Sequence, residues 1–305
     1  MTETQDPDEG GTRLSAEDVD RFNPRPGRIA PGLHLVSTPI GAARDITLRA
    51  LDLFAGADVL AAEDTRTLRR LMEIHGVPVN GRPLIAYHDH NGAQVRPRIM
   101  GLLAEGKSVA YASEAGTPLV ADPGFQLARA AIAEGHPVLA APGASAVLTA
   151  LAVGGLPSDR FCFLGFPPSQ GAARTTWLDE VSAIPATLVI YESPKRIHKL
   201  LAELGEKGER DAALCRELTK RFEEVIRGKL SDVAAAIDGR DLKGEIVLLL
   251  GRLEARGTEM DLDEALKTAM ASESLREAVA TVTEATGLPR RQVYQRALAL
   301  AKEGS

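Results

Sequence analysis

Cysteine is nearly absent from this 305-residue chain: Cys162 and Cys215 stand singly in apolar segments, with no CxxC spacing. Metal and redox roles for them are therefore not expected, and both read as buried thiols. Also missing is any run near the roughly 18 to 20 apolar residues that a membrane helix needs. The opening MTETQDPDEGG lacks the apolar core of a signal peptide, so a cytoplasmic protein with no membrane partner is expected. Positive charge is not in surplus either, because the net charge of −6 at pH 7 argues against a globally basic nucleic-acid binder. Half of that excess lies in residues 1–28, where seven acids face four arginines. With Pro24, Pro26 and Gly27 and almost no hydrophobic periodicity, that stretch is expected to be a disordered or loosely packed tail. Neither GxGxxG nor a phosphate loop ending in Gly-Lys-Ser/Thr occurs, which removes the usual sequence support for NAD and ATP. Internal repeats and extended low-complexity segments are absent too.

What is present is a regular alternation, in a chain whose 44% hydrophobic content is enough for a full core. From residue 33, "LHLVS", "DVLAA", "LIAY", "KSVAYAS" and "HPVLAA" read as strands, separated by helical patterns such as "TRTLRRLMEIHG" and "ASAVLTALAVGG". Five strands alternating with helices predict a parallel sheet covered on both faces. After "GGLPSD" (154–159) the character changes: "RFCFLGF", "ATLVIYE", "AALCREL", "EEVIRGKL" and "GEIVLLLG" are strands, some joined by links too short for a helical crossover. That pattern predicts a second α/β domain with a mixed sheet. Beyond Gly251 the chain turns helical, ending in two helices joined by Gly287-Leu288-Pro289. The expected units are a tail (1–28), an N-terminal α/β domain (29–153), a second α/β domain (154–252) and a helical appendage (253–305).

Each of the first five strands runs into a distinctive loop: STPIG (37–41), AEDTR (62–66), YHDHN (87–91), SEAGTP (113–118) and APGAS (141–145). In an open α/β sheet, ligands bind beyond the carboxyl ends of the strands, so one edge carries all five loops. Gly, Pro and Ser are ordinary in such connections, and no single loop is diagnostic; the five together point to a small-ligand site.

Polar side chains suited to acid–base or orienting work lie on the second and third loops: Glu63, Asp64, Arg66, His88, Asp89, His90 and Asn91. Glu63 and Arg66 could equally form an ion pair at a helix start. On an extended segment His88 and His90 would face opposite ways, leaving one of them for the cleft, and their spacing makes a weak case for a metal site. In the second half, Lys195, Arg196, Arg216 and Lys220 suit phosphate contacts, with solvated surface charge as the plain alternative. Arg290, Arg291, Arg296 and Lys302 add local positive charge to the terminal helices, which either grip RNA or pack as a structural element.

Taken in order, TPIG, AAEDTR, HDHN, S-acid-AGTP, DPG, PG-x-S, LPSDRF, YES, RELTK and KGE resemble the tetrapyrrole methylase superfamily, and more closely its RsmI-type branch of 16S rRNA cytidine 2′-O-methyltransferases. The resemblance spans about residues 31–251, and the terminal helices are similar to that branch's extension. It implies a homodimeric S-adenosylmethionine (SAM) enzyme with the cofactor between two α/β domains. Carried over onto this chain, the cofactor loops are Thr38, Pro39 and Gly41; Ser113, Glu114, Ala115, Gly116, Thr117 and Pro118; and Gly143 and Ser145. Phe163, Gly244 and Glu245 would form the far wall, and the catalytic set would be Glu63, Asp64, Arg66, His88 and Asn91. The chain departs from the family at Ala42-Ala43, where Asn-Leu is usual, at Glu114, where Asp is usual, and at Ala144, where Pro is common. The implied reaction is methylation of a cytidine ribose 2′-hydroxyl in the decoding region of 16S rRNA, with the rRNA or the small subunit as partner and no metal. A tetrapyrrole carbon methylase and a non-catalytic RNA-binding protein are the alternatives.

Overall fold

The computed structural model describes residues 24, 27–120, 122–253, 259–286 and 288–303. Most of the expected tail, residues 1–23, 25 and 26, lies outside them, as does Gly287. Residues Gly32–Val36 (β1), Val59–Ala62 (β2), Leu84–Ala86 (β3), Ser108–Ala112 (β4) and Val138–Ala141 (β5) form a parallel sheet in the order β3-β2-β4-β1-β5. The two central strands, GLHLV and SVAYA, are buried at every position, which is why they read as near-continuous apolar runs. Helices Leu48–Gly56 (α1), Thr65–Ile74 (α2), Gly92–Ala104 (α3), Phe125–Ala133 (α4) and Ala146–Gly154 (α5) supply the connections and the covering layers. Phe54, Leu60 and Met72 pack on one side, and Ile99, Tyr111 and Leu127 on the other.

The second sheet runs β6-β7-β10-β8-β9, from Phe161–Gly165 (β6), Thr187–Glu192 (β7), Asp211–Arg216 (β8), Glu224–Lys229 (β9) and Ile246–Leu250 (β10). Only β6 and β7 pair in parallel, joined through helix Ala172–Ser182 (α6); the remaining pairs are antiparallel, as the short links require. Helices Ile197–Lys207 (α7) and Leu230–Ile237 (α8) pack their Leu, Val and Ile residues on one face. The opposite face of this sheet meets the first half directly. Ile40 and the α5 residues Val147, Ala150 and Leu151 share one apolar cluster with Val189, Ala213, Cys215 and Leu249. Cys215 is fully buried there, and burial pushes its thiol up to about 11; Cys162 is only partly buried, short of the buried site expected for it.

Glu259–Met270 (α9), Leu275–Thr286 (α10) and Arg290–Glu303 (α11) surround their own core of Leu266, Val279, Val293 and Ala297. At the start of α10, Ser274 and Glu277 form a reciprocal cap, with the Glu277 amide donating to Ser274 Oγ (3.4 Å) and the Ser274 amide donating to Glu277 Oε2 (3.1 Å). No helix among the described residues is long and apolar enough to cross a membrane.

Candidate active site

The order β3-β2-β4-β1-β5 puts the topological switch between β1 and β4, so the first and fourth loops open side by side at the sheet's carboxyl edge. They are joined by a two-way backbone bridge: Thr38 N–H donates to the Gly116 carbonyl (2.9 Å) and Gly116 N–H to the Thr38 carbonyl (3.0 Å). Ser113 Oγ also donates to the Gly116 carbonyl, at 2.9 Å. Gly116 is thereby tied firmly into the loop pair. Both of its backbone groups hold the loop together, and its φ of +80° makes the turn that a side chain would strain. The fifth loop is tied in behind. Thr117 Oγ1 donates to the Ala144 carbonyl (3.0 Å), and a Cβ on Gly143 would come within 2.8 Å of Ser37 Cβ. Ser145 stands at the N-terminus of α5 without a side-chain cap.

Beside this bridge runs a groove of about 590 Å³, walled by Thr38, Pro39, Gly41, Asp64, Arg66 and Glu114 over the apolar Leu71 and Ile74. Residues expected to hold a cofactor and residues expected to act on substrate thus share one concavity, within the size range of small-molecule sites. Asp64 caps α2, accepting from the amides of Arg66 (2.7 Å) and Thr67 (3.4 Å), and its other oxygen pairs with the Arg66 guanidinium at 2.7 Å. These Arg66 hydrogen bonds hold the carboxyl down at about 2. The helix-start ion pair considered between Glu63 and Arg66 exists, but Asp64 makes it. Glu63 turns inward and accepts from the Glu114 amide at 3.3 Å, and burial raises its pKa, helped by the nearby Asp122, Glu114 and Asp89.

Asp122, in the DPG turn quoted above but given no role there, is the residue that sequence reasoning missed. Its Oδ1 accepts from Gly124 N–H (2.7 Å) and the buried Tyr111 hydroxyl (3.0 Å), while Oδ2 is buried with no protein partner. Burial raises its pKa as well. A carboxylate at a helix entrance in a Pro-Gly turn is the one signal that pointed to it.

On the third loop, Asn91 is committed to the backbone, accepting from His88 N–H (2.9 Å) and donating to the Ala86 carbonyl (3.0 Å). The segment turns rather than extending, which corrects the divergent reading of the two histidines. The His88 and His90 rings lie 5.9 Å apart, and His88 Nδ1 is buried without a partner. Among the described residues no group of three His, Cys, Asp or Glu is placed to hold a metal ion.

The second domain closes one side of the first loop. Ala42 N–H donates to Thr219 Oγ1 at 3.1 Å, and Gly41 packs so tightly that a Cβ would sit 2.6 Å from that oxygen and 3.0 Å from the Leu218 carbonyl. Glu217 (φ +52°) and Thr219 (φ +64°), on the segment that meets the first loop, both hold left-handed backbone conformations. Lys220 donates to Glu217 and to Glu245, each at 2.9 Å, and Gly244 (φ +91°) leaves room for the Glu217 side chain. Phe163 packs on Tyr191 with ring centroids 4.8 Å apart in the interdomain cluster. Of the four second-domain cations expected to meet phosphate, Arg196 pairs with Glu192, Arg216 with Glu224, and Lys220 as described, while Lys195 has no ion pair among the described residues.

A groove at the switch point of a parallel sheet, with a second α/β unit packed on the first loop, defines a two-domain α/β architecture of the ligand-binding kind. Residues 32–234 match the family model of tetrapyrrole (corrin/porphyrin) methylases, and residues 257–301 that of the RsmI C-terminal HTH domain. The chain belongs to the tetrapyrrole methylase family and is a methyltransferase. It is 44% identical over 276 residues to ribosomal RNA small subunit methyltransferase I of Mesorhizobium japonicum, covering 89% of this chain and 93% of that one. Its identity to the protein of the same name from Micromonospora olivasterospora is 41%, over 90% and 88% of the two chains. The fold is similar to that of uroporphyrin-III C-methyltransferase from Thermus thermophilus, solved in complex with S-adenosylhomocysteine (TM-score 0.50, 20% identity, 74% and 97% of the chains).

Proposed function

We propose that this protein is a SAM-dependent methyltransferase that modifies the ribose 2′-hydroxyl of a cytidine in the decoding region of 16S rRNA. The observation that carries this reading is the shared groove, where the bridged first and fourth loops meet the polar second loop. The two relatives named for small-subunit rRNA methylation, each covered along most of its length, supply the substrate class. In this reading residues 29–153 and 154–252 are the two halves of the cleft and 253–305 a separate helical unit. The enzyme works as a cytoplasmic homodimer, with exposed Phe166 and Phe222 as apolar surface for the partner.

The groove fits the cofactor. Its volume is that of a small-molecule site, Leu71 and Ile74 offer an apolar surface for a purine, and the Glu114 carboxylate suits a positively charged group. Thr38, Pro39, Gly41 and Glu114 would hold it, with Ser113, Ala115, Gly116, Thr117, Pro118, Gly143 and Ser145 shaping the wall behind. When bound, SAM supplies an electrophilic methyl carbon on a sulfonium. The chain's own task is alignment, which a rigid, cross-bridged loop pair performs at no cost in reorganisation. The Arg66 guanidinium, pinned by Asp64 yet 89% exposed, is positioned to meet a phosphate or ribose oxygen at the groove mouth. Glu63, with its raised pKa, is the acceptor best matched to a hydroxyl proton, and Asp122 and His88 lie behind as further polar groups.

Mass mapping of 16S rRNA from a gene-deleted strain tests the reading: one 2′-O-methylcytidine is lost, and the wild-type gene restores it. Arg66→Ala and Glu63→Gln restore it about 10²- to 10⁴-fold more slowly, the range for orienting and acid–base groups. Full methylation in the deleted strain, or no SAM binding by calorimetry, refutes the proposal.

A further inference from the structure

The terminal helices carry a second concavity, far from the groove in sequence. It has a volume of about 710 Å³ and opens between the N-terminal ends of α10 and α11. Half-buried Leu275 and buried Val279 form its apolar part, while Arg276, Arg290, Arg291 and Tyr294 rim it. The three arginines have no ion pair or hydrogen-bonded side-chain partner among the described residues. By contrast, Arg66, Arg174, Arg196, Arg216, Arg240 and Arg252 each hold a carboxylate, and Arg296 on the same helix is held by Asp263. In a chain with a net charge of −6, three guanidiniums without a carboxylate partner around one hollow concentrate positive charge there. The Tyr294 ring beside them is 47% exposed, an aromatic face left outside the core that Val293 and Ala297 fill.

We infer that this groove binds an unpaired segment of RNA, with one base stacked on Tyr294 and the neighbouring phosphates held by Arg276, Arg290 and Arg291. The inference rests on the rRNA reading above and sharpens it by naming single-stranded RNA as the form recognised. Two features select that partner. Guanidiniums spaced around a hollow match phosphates that follow one another along a strand. An exposed aromatic ring on the same rim offers a stacking platform that a base inside a duplex cannot use. The assignment also redraws the expected basic set, because Arg296 is engaged by Asp263, whereas Arg276 and Tyr294, which charge counting did not single out, complete the site.

The test uses the full chain, with fluorescence anisotropy against a short mixed-sequence single-stranded RNA and a blunt RNA duplex of equal length. Tyr294→Ala should weaken single-strand binding by about 5- to 100-fold and Tyr294→Phe should restore it, since stacking needs the ring and not the hydroxyl. The triple variant Arg276→Gln/Arg290→Gln/Arg291→Gln should lower the salt slope of log K by about 2, the value for three phosphates on a single strand. Circular dichroism melts check that each variant keeps its helices, and calorimetry with SAM should give wild-type affinity in all of them. Single-strand affinity unchanged in Tyr294→Ala and in the triple variant, or a duplex bound as well as the single strand, overturns the inference. If the wild type binds SAM and methylates rRNA while these variants bind RNA normally, the groove assignment falls and the enzymatic reading stands. If the wild type neither binds SAM nor methylates rRNA, yet the variants lose RNA, the enzymatic reading falls and the groove stands.

Discussion

Replacing Thr219 by Val isolates the contact that fixes the second domain against the first loop. The two side chains have nearly the same volume and are both β-branched, so the left-handed backbone at this position (φ +64°) is strained to a similar degree in each. What is lost is the hydroxyl that accepts the Ala42 amide at 3.1 Å. The amide is part-buried, and leaving such a donor without an acceptor costs about 1–3 kcal/mol. For the roughly 220 residues of the two α/β domains that corresponds to a fall in Tm of about 2–12 °C. Thr219→Ser keeps the acceptor and removes a β-branch, so it should melt at or above the wild type. Gly41→Ala attacks the same clasp sterically, because the new Cβ would lie 3.0 Å from the Leu218 carbonyl, at a cost of about 1–3 kcal/mol for overpacking. Once Gly41→Ala has opened the clasp there is less left for Thr219→Val to lose, so the double variant should be less destabilised than the sum of the single ones. Differential scanning calorimetry reads all four proteins. Equal melting of the Val and Ser variants would refute the clasp, and strict additivity of the double variant would show that the two residues act independently.

Two further perturbations probe buried ionisable groups. Burial raises the pKa of Asp122, so the folded state holds its proton more tightly than the unfolded chain, and this group's contribution to stability declines as pH climbs above the usual carboxylate range. Asp122→Asn keeps the Oδ1 acceptor for Gly124 and Tyr111 but has nothing to ionise; its stability relative to wild type should improve as pH rises above about 4, the usual carboxylate value, and a pH-independent difference in urea midpoints would contradict the assignment. Arg210 is fully buried, and none of its three guanidinium nitrogens has a protein partner among the described residues. Arg210→Met should therefore stabilise the fold by about 1–4 kcal/mol in thermal melts, and a lowered Tm would show that the charge is compensated.

Much of this architecture is written locally. Strand runs such as GLHLV and IVLLL are apolar because both faces are covered, and the spacing of the intervening apolar residues marks the helices, so the parallel sheet, the mixed sheet and the terminal helices were all legible before any coordinates. The loop motifs at the strand ends placed a site on one edge, and their order carried the family resemblance. Side-chain partnership was not legible, because it depends on which elements the fold sets side by side. Asp64 rather than Glu63 takes Arg66 because capping geometry aims it over α2. Arg196, Arg216 and Lys220 are each bound to a glutamate, Arg216 across a strand pair and Lys220 to Glu245 on a later segment. Composition and periodicity are properties of neighbours along the chain, and they determined the elements and the sheet class. Which carboxylate is buried, which amide is bridged and which arginine is left over are properties of neighbours in space, and only the tertiary packing of two sheets and a helical unit decided them.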